Sequence, residues 1–395
     1  MRNYVVKITK VLLVAVCINC ALTGFAFAGV TIDKSVNPSV SFETGAKYAQ
    51  GAIKVIDLKG TWHKMGRQYG KLMKKELRDV YFNKMEAFMQ THPEKRSEIE
   101  LIANERYAEL PYKYKQVMQG ISETSGLNLE QVKIANAVEY ASGVTGCSGL
   151  AAWQDYTKSN TVIYGRNYDF FPSFKKLNND VVVAIYHPSD NSLSSATVGY
   201  TGEIYAVNGL NEKGIFMELN NGGPSDLRRT AKGRIHGTIS LMSMLFDADA
   251  LGYVDKFFAT TATNAPYIIG VADKDEARAY EWATTTWRYG QAAAGKLVLN
   301  NHFTNPLWDS TGVSDATSWR SLTRRQNLLS LAEEYKGKID AELMQDIMSR
   351  SISDGGALSD LTVYQLVVEP QKLELWLNVI GTADGWTKIR LKTFF

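Results

Sequence analysis

Residues 146–170 read GCSGLAAWQDYTKSNTVIYGRNYDF and set one cysteine a short strand and a turn ahead of an arginine and an aspartate. The small, β-branched and aromatic runs at 148–153 and 161–166 are bounded by turn-forming residues at 158–160, which predicts two strands joined by a turn. Gly146 precedes the cysteine. Having no Cβ, it lets a thiol approach the preceding carbonyl and tolerates a strained peptide there.

The chain differs on the two sides of this stretch. Upstream, residues 29–50 are polar and aperiodic and read as an exposed leader, followed by a short strand at 52–58. Met65, Tyr69, Leu72, Met73, Leu77, Val80, Tyr81, Met85 and Phe88 then recur at three- and four-residue spacing, which predicts an amphipathic helix. Two further helices are expected over 94–110 and 112–123, divided by Pro111. Asn128 and Gln131 form a capping pair for another helix running to about Ala141. Downstream, strands are expected at 181–187, 196–200, 204–210 and 214–219, then helices at 238–247 and 253–262. Strands follow near 268–271, 277–282 and 296–300, helices at 318–335 and 340–351, and a closing strand pair at 362–368 and 373–378. Strand runs and helix runs are segregated, which argues for an α+β fold with helices outside antiparallel sheets.

The first 28 residues have the three parts of a secretory signal. Arg2, Lys7 and Lys10 precede an apolar run over 11–25, and Ala26, Phe27 and Ala28 form an A-x-A site. The run is short for a membrane span, so the expectation is an exported protein, periplasmic or secreted, with no span once the signal is removed. Without those three basic side chains the net charge of +3 falls to near zero, and no basic field points to nucleic acid. Cys17 and Cys20 leave with the signal, so Cys147 alone remains of three cysteines. A single thiol in an exported chain has no internal disulfide partner and is a candidate nucleophile.

His63, His92, His187, His236 and His302 have no zinc-binding spacing, and no metal or cofactor is called for. The G-x-S-x-G elbow, the Walker A loop and G-x-G-x-x-G are absent from the sequence. A cysteine–histidine pair drawing on His187, His236 or His302 stays open on composition, without the local cysteine signature. A second base is available on Cys147 itself. Cleavage between Gly146 and Cys147 would free an α-amine with a reference pKa near 8 on the residue that carries the thiol.

The same residues carry a resemblance. CSGLAAWQDYTKSNTVIYGRNYDF is similar to the opening of the linear amide hydrolases of the N-terminal nucleophile superfamily, typified by bile salt hydrolase and penicillin V acylase. Gly165, Arg166, Asn167, Asp169 and Phe170 match that family's G-R-N-x-D-aromatic motif. GTWHKMGRQYG at 60–70 and MQGISETSGLNLEQVKIAN at 118–136 resemble the pro-region of the acyl-CoA:6-aminopenicillanic acid acyltransferase-like branch. Two departures stand out: Ser148 replaces the more usual Thr, and the spacing from Cys147 to the motif is longer than in bile salt hydrolases.

The resemblance implies a four-layer αββα sandwich, with a signal at 1–28, a helical prosegment at 29–146 that becomes a small chain, and a catalytic domain at 147–395. It implies Cys147 as nucleophile and, through its freed amine, as base, with Asp169 holding that amine and Arg166 setting the field at sulfur. GLNEKGIFMELNNG implies Asn220 as an oxyanion donor. LVLNNHF implies Asn301, with Asn300 as competitor, and SWRSLTRR implies Arg320, with Arg324 as the fallback. The implied activity is hydrolysis of N-acylated small molecules or acyl transfer, without a cofactor, with Phe170, Phe171 and Phe174 suited to an apolar acyl group. The retained prosegment would be a partner. A phospholipase B-like esterase and a non-catalytic exported binding protein of the same fold remain as alternatives.

Overall fold

The structure is a computed structural model that describes residues 30–139, 146–227, 229–309 and 312–395. The signal segment and residues 140–145, where the fourth upstream helix was expected to finish, lie outside the described residues, as does the side chain of Phe174. Among the described residues, no helix is long and apolar enough to cross a membrane.

Strands are numbered in chain order. One sheet runs β1 (Thr31–Ile32), β17 (Thr387–Arg390), β16 (Glu374–Val379), β15 (Thr362–Glu369), β6 (Asn160–Asp169), β5 (Ser148–Gln154) and β14 (Lys296–Leu299). The second runs β13 (Trp287–Tyr289), β12 (Ala277–Trp282), β11 (Tyr267–Ala272), β10 (Phe216–Asn221), β9 (Asn208–Asn211), β8 (Ser195–Tyr200), β7 (Val181–Pro188), β4 (Ile53–Gly60), β3 (Gly45–Gln50) and β2 (Val40–Phe42). Pairing is antiparallel except between β1 and β17 and between β4 and β7.

Side-chain alternation along β5 explains the layering. Ala151 and Trp153 join the large core that includes the space between the sheets. Leu150 and Ala152 point the other way, into a second core with Leu328 and Leu331 of α9 (Ser321–Glu334) and Met344, Ile347 and Met348 of α10 (Ala341–Ser349). Burial on both faces is why this strand reads as a continuous apolar run rather than an alternating one. The far face of the second sheet is covered by α1 (Trp62–Leu72), α5 (Tyr112–Ser125) and α7 (Gly237–Asp247), whose Tyr69, Tyr114 and Phe246 are fully buried. The result is the four-layer αββα sandwich that the resemblance implied.

Upstream of Cys147 the structure departs from the expected helical prosegment. β1 joins the first sheet, and β2 to β4 extend the second, so residues read as a polar leader are strands. Their sequence is short and polar because β2 is a largely exposed edge strand. The single long helix expected from Met65 onward is broken after Met73, whose φ of −109° and ψ of 20° leave the helical region. It continues as α2 (Lys74–Arg78), a π-helical stretch over Asp79–Glu86, and α3 (Ala87–Thr91). Beyond it lie α4 (Pro93–Glu109), α5 and α6 (Leu129–Asn136). α6 opens with both hydrogen bonds of the Asn128–Gln131 capping box, each 2.9 Å. α8 (Leu251–Thr260) follows α7 as expected. The strand expected over 204–210 is confined to β9, and the expected helix at 318–335 begins three residues late.

Candidate active site

Cys147 sits at the threshold of β5, between β14 and β6, and is 4% exposed. β6 runs antiparallel beside it, and the alternation of that strand divides the motif residues between two faces. Arg166 and Tyr168 point into the space between the sheets, whereas Asn167 and Asp169 point toward the α9–α10 layer. Arg166 is fully buried. Its Nη2 lies 3.6 Å from the Cys147 sulfur and 3.0 Å from the Leu219 carbonyl oxygen. Its Nη1 donates to Asn220 Oδ1 at 2.9 Å and lies 2.9 Å from Glu218 Oε2, so the guanidinium ties the cysteine strand to β10 of the facing sheet.

Asp169 occupies the other side of the nucleophile. Its carboxylate accepts hydrogen bonds from Thr362 Oγ1 at 2.6 Å and Ser359 Oγ at 3.1 Å, and its backbone oxygen lies 3.8 Å from the Cys147 sulfur. Arg324, one turn into α9, donates through Nη1 to the Cys147 carbonyl oxygen at 2.8 Å and lies 3.7 Å from Asp169 Oδ2. Its Nη2 donates to Asn301 Oδ1 at 2.7 Å, and Asn301 Nδ2 donates to the Asn221 carbonyl oxygen at 3.0 Å. A Cβ added to Gly146 would lie 2.9 Å from Arg324 Nη2 and from Trp319 Cβ, and 3.0 Å from Asn301 Oδ1. Only glycine fits there without displacing part of the site.

The structure gathers Gly146, Cys147, Arg166, Asp169, Asn220 and Asn301 around one point together with Arg324, and Arg320 lies apart from them. In a continuous helix, residues four apart would share a face. Here the helix starts at Ser321, and Arg320 is its N-cap residue with φ 57°, so its exposed side chain diverges from the buried Arg324. Asn300 is also buried, but its amide makes no hydrogen bond within the structure, while that of Asn301 bridges Arg324 and Asn221.

Sequence reasoning missed Glu218, Ser359 and Thr362. Glu218 had a signal: an acid inside the apolar run FMELNN, two residues before Asn220 and hence on the same face of β10. Ser359 and Thr362 had none, because their role depends on β15 pairing with β6 across almost 200 residues of chain. None of the five histidines is among these contacts. His236 hydrogen-bonds Tyr267, His302 hydrogen-bonds Ser321, and His187 hydrogen-bonds Asp57 and Ser194.

Burial dominates the electrostatics of this site. Burial pushes the Cys147 thiol up to about 11, with Arg166 pulling in the opposite direction. Burial raises Asp169 to about 6 against the lowering influence of Arg324, Thr362 and Ser359. Burial also raises Glu218, opposed by Arg166. The uncut chain thus holds a protonated thiol whose neighbouring arginine is already paired with a carboxylate. Among the described residues, no group of three metal-ligating side chains occurs.

No protein-family model matches the chain, and the search of curated proteins found no match. Several solved structures are similar to it. An N-acylethanolamine-hydrolyzing acid amidase ortholog from Caenorhabditis elegans is 16% identical, with 57% of this chain and 93% of that chain covered and a TM-score of 0.41. A conjugated bile acid hydrolase from Clostridium perfringens is 14% identical, with 62% and 92% covered and a TM-score of 0.41. A penicillin V acylase from Agrobacterium tumefaciens is 10% identical, with 59% and 83% covered and a TM-score of 0.37.

Proposed function

We propose that this chain is an exported, self-processing cysteine hydrolase of the N-terminal nucleophile type, cutting linear amide bonds of N-acylated small molecules through a Cys147 acyl-enzyme. The observation that carries the reading is the position of Cys147. It is buried at the head of β5, with Arg166 against its sulfur, Arg324 on its carbonyl and a glycine-only contact immediately before it.

In the proposed processing step, Cys147 sulfur attacks the Gly146 carbonyl carbon. The C–S bond forms as the C–N bond breaks, the thiol proton passes to the departing nitrogen, and water then hydrolyses the thioester to leave a Gly146 carboxylate. The freed α-amine of Cys147 becomes the base that the uncut site lacks, because a reference pKa near 8 leaves part of it unprotonated near neutral pH. In this reading Asp169 holds that amine, supported by Arg324, which contacts both its carboxylate and the Cys147 carbonyl oxygen. In turnover the amine takes the thiol proton and sulfur attacks the substrate carbonyl. The same proton goes to the leaving amine, and water releases the acid. Asn220 and Asn301 supply amide donors for the oxyanion once they turn from Glu218 and the Asn221 carbonyl.

Intact-mass measurement of the purified protein tests the reading. The expected result is a fragment beginning at Cys147, lost in Cys147→Ala, together with turnover of an acyl amide by the cleaved form. An uncut wild-type chain that hydrolyses amides equally well with Cys147→Ala would refute it.

A further inference from the structure

The Cys147 sulfur faces the space between the sheets, where Arg166 and Tyr168 of β6 also point. On the same side, past Tyr168, lie two carboxyls that the proposed turnover does not use. Glu139 comes from the segment upstream of the scissile bond, just past α6, and Glu203 from the turn after β8. Each is only 6% exposed. Self-cleavage would leave them on separate pieces.

Their contacts join the two pieces beside the nucleophile. Tyr168 OH donates to Glu139 Oε1. The Tyr168 ring stacks on Tyr364 with centroids 4.5 Å apart, and the Arg166 guanidinium lies 5.6 Å from its centroid. Tyr205 OH donates to Glu203 Oε1 at 2.7 Å and also reaches Glu139, while Tyr200 N–H donates to Glu203 Oε2 at 2.8 Å. The turn carrying Glu203 is gripped by upstream residues. Ile204 N–H donates to Asn136 Oδ1 at 2.6 Å, and Gly202 N–H donates to Tyr69 OH at 2.9 Å. A Cβ on Gly199 would lie 2.7 Å from Glu203 Oε2, so the glycine makes room for that carboxyl.

Among the described residues, no basic side chain forms an ion pair with either carboxyl. Arg166 acts on Glu139 from β6, but it already faces Glu218 at 2.9 Å. The other titratable groups facing the pair are Tyr69 of α1, Tyr168 of β6, Tyr200 of β8, Tyr205 and Tyr364 of β15, with Asp180 beyond Tyr200. Burial raises both carboxyls above the ordinary glutamate value, and Glu139 raises Glu203 further. Two buried carboxyls on a common tyrosine hydroxyl are stable while a proton is shared between them and repel each other once both are ionised.

We propose that Glu139 and Glu203 are positioning residues that form a proton-sharing clamp, which seats the end of the upstream piece against Tyr168, and thereby Arg166 at the sulfur, and opens as pH rises. Its effect on turnover rests on the hydrolase reading above, whereas the clamp itself belongs to the uncut chain as well. The sign follows from proton counting. The closed pair binds more protons than the open one, whose carboxyls return to the ordinary value near 4.5. Opening therefore grows about tenfold per pH unit for each proton lost and levels off once the closed pair is fully ionised. It is local, because β1 and β4 hold the rest of the upstream piece in the sheets.

The experiment follows amide hydrogen exchange of residues 129–139 from about pH 5 to about pH 9, corrected for the intrinsic rate at each pH. It uses wild type, Glu139→Gln, Glu203→Gln and Glu139→Asp, with kcat and KM for an N-acyl amide measured alongside on the cleaved forms. In wild type, protection of this segment is expected to fall about tenfold per pH unit before levelling, while that of β4 holds. As the clamp opens, kcat falls on the alkaline side of the Asp169 limb near 6. Either glutamine variant removes the repulsion and flattens both the exchange slope and the fall in kcat, and Glu139→Asp keeps both. A wild-type segment with no such slope, or a slope that survives both glutamine variants, overturns the clamp. An exchange slope without a matching fall in kcat, or a fall that both glutamine variants retain, overturns the positioning role. A wild-type chain that stays uncut and turns over no amide removes the hydrolase reading and the positioning role with it, while the exchange slope still decides the clamp, so the two failures are distinct.

Discussion

Asp169 carries the clearest pH signature at the scale of single residues. Its carboxyl is raised by burial to about 6, so it is neutral below that pH and loses its hold on an amine. Amide turnover by the cleaved form is expected to rise with pH along a one-proton limb centred near 6, and Arg324→Gln, which removes a cation that lowers Asp169, moves the limb upward. The sign for stability is the reverse of the usual carboxylate case. With a folded-state pKa above the unfolded one, the proton is bound more tightly by the folded chain, so stability falls as pH rises from about 4 to about 6 and stays lower beyond. Asp169→Asn mimics the neutral form. It is expected to abolish amide turnover by the cleaved form while raising the Tm at pH 8, a trade of stability for activity at one residue. Glu218→Gln leaves the fully buried Arg166 guanidinium, 2.9 Å away, without its carboxylate, and chemical denaturation should register a loss of about 3–5 kcal/mol. Gly146→Ala forces an atom to within 3.0 Å of three neighbours and is expected to slow self-cleavage by at least about tenfold, because the scissile peptide is pushed out of line.

At the scale of elements, the upstream helices pack through glycines. A Cβ on Gly66 of α1 would lie 2.1 Å from the Val117 oxygen of α5, and one on Gly120 of α5 would lie 2.3 Å from the His63 oxygen of α1. The two backbones are in direct contact, so Gly66→Ala or Gly120→Ala is expected to cost about 1–3 kcal/mol, read from the denaturant midpoint, without touching the cysteine. This contact was not legible in GTWHKMGRQYG or MQGISETSGL. Nothing in the local sequence marks Gly66, Gly70 and Gly120, because their value lies in a neighbour distant in sequence. The opposite held for α6, whose capping pair is local, and its predicted start is the observed one.

At the scale of the whole molecule, the segment before Cys147 is an integral part of both sheets. β4 lies between β3 and β7 in the second sheet, and β1 runs along β17 in the first. Ile53, Val55, Ile56 and Leu58 of β4 are fully buried in the common core. Cleavage after Gly146 would break one peptide bond and none of these contacts. The two pieces are expected to co-elute in size exclusion after cleavage and to separate only in denaturant. Release of the upstream piece under native conditions would contradict this arrangement.

Local signals settled what depends on neighbours in the chain: the turn between β5 and β6, the amphipathic helices, the capping box, and the motif that brings Arg166 and Asp169 to the cysteine. These follow from periodicity and from the short reach of one hairpin. The tertiary structure alone decided which arginine reaches Cys147, because Arg320 and Arg324 differ only in whether the helix has begun. It also decided that Glu218 answers Arg166, that Thr362 and Ser359 hold Asp169, and that a polar leader is a set of strands. Each of these rests on pairing between segments far apart in sequence, where the partner determines the role and the local residues do not.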